Sequence, residues 1–195
     1  MNATDRQRTH ATVIFAVLVG CACSAMRSAC GESGDATAPA ETNLARLVVT
    51  SPAFEPNGRL PAEYSCDGAG VSPPIAWSGA PAETEVFAVS LWHTASYREK
   101  SYWLVYDIPA DVTKLDKDCR TVGRLGSNDK RRAEYDPMCP KGTKLNTYHI
   151  TVFALSEKPK LPPDGVTRAM LLDAIKDITL AEGTLNFQHQ RTSKE

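Results

Sequence analysis

The chain has 195 residues, 42% of them hydrophobic and 23% charged, with 22 basic against 23 acidic side chains and a formal net charge of -1. That length suffices for one domain with a substantial core, and the composition is that of a folded globular protein rather than a disordered one. The near-neutral balance excludes a protein that works through a broad basic surface, so no nucleic-acid partner is expected.

The first predicted element is a targeting segment. Arg6 and Arg8 precede an apolar run, ATVIFAVLVG, that ends at Cys21. A membrane-spanning helix needs about 20 residues, so this run fits the hydrophobic region of a secretory signal instead. Leu18-Val19-Gly20-Cys21 is similar to a bacterial lipobox, in which the cysteine is acylated and becomes the mature N-terminus. The competing reading is an ordinary signal cleaved near Ala25 or Ala29. On the lipobox reading, residues 1–20 are the lipoprotein signal peptide, Cys21 is the lipidation site, and acyl chains hold the protein to a membrane. The expected localisation is the bacterial cell envelope, facing the periplasm or the outer surface. Residues 21–43, rich in Ala, Ser, Gly and Thr and without apolar periodicity, read as a flexible tether. Export would leave Cys23, Cys30, Cys66, Cys119 and Cys139 where disulfides persist, with connectivity open and at least one thiol unpaired.

The folded domain is expected over 44–195. LARLVVT, EVFAVSLW, SYWLVYDI and TYHITVFAL are rich in β-branched and aromatic residues and predict strands. The last three are apolar on both alternating sets, which predicts central strands covered on both faces. Long segments punctuated by Pro and Gly separate them, as in loops that build pockets over a rigid sheet. Thr167 can cap one helix, RAMLLDAIKDI, with Met170, Leu171, Ala174, Ile175 and Ile178 on one stripe. Many strands and one late helix predict a mostly-β domain with an antiparallel core.

Motifs for catalysis are scarce. Serine nucleophile elbows, P-loops, H-E-x-x-H and G-x-G-x-x-G are all absent from the sequence. No local pair supplies even two of the convergent ligands that zinc requires, so neither a metal nor another cofactor is expected. His93 lies at a strand end, His149 inside an apolar strand as a hydrogen-bonded structural residue, and His189 near the C-terminus as a surface residue. Lys130-Arg131-Arg132 reads either as solvated surface or as a clamp for a phosphate or other anion. The loop HTASYREKSYW, between two apolar runs, carries large aromatics where loops often carry binding residues.

From Tyr64 to Thr84 the chain reads YSCDGAGVSPPIAWSGAPAET, which resembles the phosphatidylethanolamine-binding protein family, and most closely its bacterial Raf kinase inhibitor-like branch. The family pattern Y-x-C-D-G, S-P-P, L-x-W and P-x-x-T finds a counterpart for each element here. The similarity continues through YWLVYDIPA, GSNDKRRAEYDPMCPKG and NTYHITVFALS, covering about residues 44–190. The resemblance implies a large antiparallel sheet packed on a smaller sheet, with a C-terminal helix. It also implies that Cys66 and Cys139 lie near one pocket and form a disulfide, and that Trp77 is core.

The family holds small anions such as phosphate head groups, and at those positions this chain departs from type. The D-P-D-x-P positions read His93, Thr94, Ala95, Ser96 and Tyr97, and the H-W histidine is Tyr102 with Trp103 retained. G-P-C-P-P reads Pro137 to Lys141, and H-R-Y reads Asn146, Thr147 and Tyr148. The ligand set carried over is therefore His93, Ala95, Tyr102, Trp103, Pro137, Met138, Asn146 and Tyr148, with an aromatic lining expected from Tyr97 and Tyr102. This predicts a non-enzymatic binding protein with an altered pocket for a small molecule or anion of unknown identity. The alternatives are a protein-interaction module with a degenerate pocket and a periplasmic protein partner, and a hydrolase using His93 or His149.

Overall fold

The computed structural model describes residues 44–191. The signal, the tether and Cys21 lie outside these residues. β-Branched and aromatic runs form nine strands among the described residues: β1 Ala45–Arg46, β2 Val48–Thr50, β3 Ile75–Ser78, β4 Val86–Thr94, β5 Glu99–Pro109, β6 Lys114–Leu115, β7 Arg124–Leu125, β8 Asn146–Leu155 and β9 Thr179–His189. A 3-10 turn spans Ala62–Tyr64 and one helix, α1, spans Arg168–Ile175.

The large sheet has six strands in the order β1-β9-β8-β4-β5-β7, and the small sheet has three in the order β2-β3-β6. β4 and β8 are central and almost wholly buried, as apolarity on both of their alternating sets requires. One face of the large sheet packs on the small sheet through Phe87, Val89, Trp103, Ile150 and Phe187 against Val49, Ile75, Trp77 and Leu115. The other face is covered by α1, with Leu171 and Ile175 meeting Val86, Leu104, Tyr106, Phe153 and Leu155. Burying each of these two helix residues contributes roughly 2 kcal/mol.

Three expectations need correction. The large sheet is mixed rather than antiparallel, because β1 pairs with β9 in parallel. LARLVVT is also two strands: after Arg46 the chain crosses at the buried Leu47 and continues as β2 in the small sheet. Gly183 makes room for this crossing, since a Cβ there would sit 2.2 Å from the Leu47 carbonyl oxygen. Second, α1 does not end the fold; TLAEGTLNFQH follows it as β9, a full-length partner of β8. Its inward positions are Ala181, Gly183, Leu185, Phe187 and His189, an alternation diluted by small and polar residues. Third, Met170 is 39% exposed and lies off the buried stripe of the helix. The cap behaves as expected, with the Thr167 hydroxyl accepting from the Met170 N–H.

Candidate functional site

The site is built where the ends of β4, β5 and β8 meet the loop of residues 126–145. Tyr148, on β8, is 1% exposed and forms its centre. Its ring stacks on Phe187 at 5.6 Å, while His93 lies 4.8 Å away and Tyr102 meets it edge to face. The antiparallel register of β4 with β5 and β8 brings these side chains together. His93 Nδ1 donates to the Thr147 carbonyl at 2.7 Å, which fixes the proton on that nitrogen and leaves Nε2 free to accept. Burial raises the pKa of Tyr102, opposed by its hydrogen bond with Tyr148, and burial raises that of Tyr148 as well. Both phenols are therefore protonated at neutral pH and serve as donors rather than as charged bases.

The predicted ligand residues do not share one cavity. Tyr102 and Pro137 line a cavity of about 270 Å³ with Cys139, Lys100, Lys130 and Asp136. His93, Ala95 and Asn146 line a separate cleft of about 590 Å³ with Leu145 and His149. Tyr148 forms the packed aromatic wall beside them. Trp103 is fully buried and borders a third cavity, of about 240 Å³, with Cys119 and Tyr135. Met138 is fully buried in the core, its sulfur 3.7 Å from the Tyr135 hydroxyl. Tyr97 is 86% exposed at the loop tip, so the aromatic lining expected from it is absent.

Cys66 and Cys139 are joined by a disulfide, with Cα atoms 5.4 Å apart. It fastens the wall at Pro137–Cys139 to the turn after Tyr64, where the Cys66 N–H also donates to the Met138 carbonyl at 3.2 Å. Cys119 is the free thiol among the described residues.

The histidines divide differently from expectation. His149 is hydrogen-bonded to the Asn186 amide oxygen at 2.7 Å and stacked on Trp92, a structural role as predicted. His189 is not a surface residue: pairing of β9 with β8 places it opposite Asn146, where it is 4% exposed. Burial lowers its pKa, opposed by the Asp67 carboxylate 4.0 Å from Nε2. Among the described residues no group of three or more His, Cys, Asp or Glu side chains is placed to hold a metal ion.

Besides Lys130, from the basic run singled out in the sequence, the cavity beside Tyr102 contains residues that the sequence reading missed: Arg98, Lys100, Asp129 and Asp136. Arg98 pairs with Asp129 at 2.6 Å, and Lys130 with the buried Asp136 at 2.7 Å. Lys100 has no carboxylate partner of its own among the described residues. Asp129 and Asp136 reach this place because their backbone N–H groups donate to Ser101 and Tyr102 across the edge of β5. Charges in a loop carry no local signal of which strand edge they will cover.

A model of the phosphatidylethanolamine-binding protein family matches residues 50–190. The chain belongs to this family. A UPF0098 protein of Methanothermobacter thermautotrophicus is 31% identical over 146 residues, covering 71% of this chain and 95% of that protein. LppC of Mycobacterium tuberculosis, provisionally named a lipoprotein, is 30% identical over 153 residues, covering 77% of this chain and 75% of its own. Among solved structures, Escherichia coli YbcL, described as a member of the mammalian family, superposes with a TM-score of 0.68 at 28% identity. That match covers 76% of this chain and all of YbcL. The two-sheet architecture is thus the architecture of phosphatidylethanolamine-binding proteins.

Proposed function

We propose that this chain is a non-enzymatic binding protein, exported and held at the cell envelope by acyl chains on Cys21, that takes a small anionic or polar ligand beside Tyr102. The observation that carries the reading is the cavity of about 270 Å³ between Tyr102, Pro137 and Cys139. It lies where the family resemblance puts the H-W and G-P-C-P-P positions. Three cations, Arg98, Lys100 and Lys130, border it against two carboxylates, Asp129 and Asp136, and Lys100 is left to meet a ligand. The Tyr102 hydroxyl supplies a neutral donor, and a disulfide stiffens one wall. The family's paired acids are replaced, so the ligand differs from the family's head groups in what it donates. The lipoprotein name of LppC supports the envelope location.

The test is thermal stabilisation by phosphate, phosphoethanolamine, nucleotides and small apolar compounds, repeated on Lys100→Ala and Tyr102→Phe. Stabilisation by an anionic compound that is lost in Lys100→Ala is the expected result; no stabilisation by any of them defeats the reading. Cys21→Ala is expected to move the protein out of the membrane fraction, and unchanged partition would defeat the anchor.

A second reading, a protein-interaction module, draws on one observation. Tyr97 is 86% exposed on the loop that replaces the family's acids, a large aromatic presented to solvent. Tyr97→Ala is expected to abolish capture of an envelope protein on this reading and to leave small-ligand binding intact on the first.

A further inference from the structure

Lys130-Arg131-Arg132 is the one basic run of the sequence that the site beside Tyr102 does not fully absorb. Lys130 is paired with Asp136, and Arg132 with Glu134 and Asp136. Arg131 has no carboxylate partner among the described residues. It stands at the turn of the loop with φ at 60°, its N–H donating to the Asn128 carbonyl at 2.9 Å. The Asn128 side chain accepts from the N–H groups of Lys130 and Arg132, so the turn that presents Arg131 is built rather than slack.

Arg131 borders a cavity of about 390 Å³ that meets the one beside Tyr102 at Ser101 and Asp129. Its other walls are the start of α1, at Thr167, Arg168 and Ala169, and the β5 residues Glu99 and Ser101. The first N–H groups of a helix have no partner within it and carry partial positive charge. Here Thr167 satisfies the N–H of Met170 with its hydroxyl and that of Leu171 with its carbonyl, which leaves those of Arg168 and Ala169 facing the helix entrance. Independently, Ser101 is 6% exposed and borders the cavity, and its buried hydroxyl has no hydrogen-bond partner. A buried hydroxyl without a partner is uncommon and marks a place where an acceptor belongs.

The two carboxylates beside the cavity are already engaged. Glu99 pairs with Arg168, and Asp129 accepts from Arg98 at 2.6 Å and from the Ser101 N–H at 3.1 Å. What remains free is one guanidinium, two helix N–H groups and one serine hydroxyl. All four can donate, and one is charged.

We infer that this cavity is an oxyanion site, distinct from the cavity beside Tyr102, in which Arg131, the Arg168 and Ala169 N–H groups and the Ser101 hydroxyl hold a phosphate or carboxylate group. The arrangement joins a cation to a helix N-terminus, the combination that suits small oxyanions. It does not rest on the function proposed above: Arg131 and the start of α1 border this cavity and not the one beside Tyr102, although Ser101 borders both.

The experiment follows backbone amide resonances of residues 44–195 during titration with inorganic phosphate and, separately, with acetate. Phosphate is expected to shift the amides of Ser127, Arg131, Arg168 and Ala169 saturably, and Arg131→Ala is expected to weaken that binding roughly tenfold or more. Lys100→Ala, in the cavity beside Tyr102, should leave these shifts unchanged. Equal shifts with acetate assign the site to oxyanions in general, and shifts with phosphate alone assign it to phosphate groups. Absence of saturable shifts at α1, shifts confined to Lys100 and Tyr102, or shifts that persist undiminished in Arg131→Ala each overturn the inference.

Discussion

Tyr102 and Tyr148 meet edge to face, with ring centroids 5.5 Å apart and planes at 73°. The half-buried ring borders the cavity, whereas the fully buried one is fixed on its remaining sides by His93, Phe187 and His189. The pair therefore couples the cavity wall to the sheet core.

That difference in burial predicts different costs. Tyr148→Ala is expected to lose about 3–5 kcal/mol of stability, as for other large aromatics removed from a core, and Tyr102→Phe less than about 1 kcal/mol. Urea unfolding of the two variants checks this; equal losses would mean that Tyr148 is not the keystone of the cluster.

The Cys66–Cys139 bond closes a loop of 73 residues. By chain entropy it stabilises the fold by about 4 kcal/mol. Denaturant midpoints with and without reductant, and for the Cys66→Ser/Cys139→Ser double variant, should fall together. A reductant effect that survives in the double variant would trace to other cysteines.

His189 makes stability depend on pH. Burial holds its pKa below the ordinary 6.5, so the unfolded chain binds a proton more readily than the folded one. Stability is greatest above pH 6.5 and falls as pH drops below it, by at most about 1.4 kcal/mol per pH unit, until the folded state is protonated too. Asp67, which also receives Arg191 at 3.5 Å, faces the ring and softens the effect. His189→Gln is expected to flatten the unfolding profile below about pH 6.5; a profile with the wild-type slope assigns the dependence elsewhere.

Arg168 ties α1 to the sheet. Its side chain is 13% exposed, pairs with Glu99, donates to the Ser90 hydroxyl at 3.1 Å and lies 4.5 Å over the Trp92 ring. Arg168→Lys keeps the charge and loses the planar fork and the stacking, at a cost of about 1–3 kcal/mol with a shift in Trp92 emission. An unchanged midpoint and an unchanged spectrum would refute this role.

Much of this was legible in local sequence. EVFAVSLW, SYWLVYDI and TYHITVFAL announce β4, β5 and β8, because a strand covered on both faces must be apolar at every position. The Thr167 cap lies in the three residues it serves, and the Tyr64–Thr84 motif points to the family. β9 was hidden because Gly183 and Ala181 take inward positions where large apolar residues would reveal the alternation. Gly183 must be small for a reason eight strands away in the chain order, the approach of Leu47.

The sequence by itself therefore determined the class of fold, its central strands and its helix. Only the tertiary structure decided that β1 joins the large sheet in parallel, that His189 is buried, and that the eight predicted ligand residues do not share one cavity. It alone also set Arg131 beside Ser101 and the start of α1. Hydrophobic period and capping act within a few residues, whereas cavity walls are assembled from segments whose approach depends on strand register across the whole sheet.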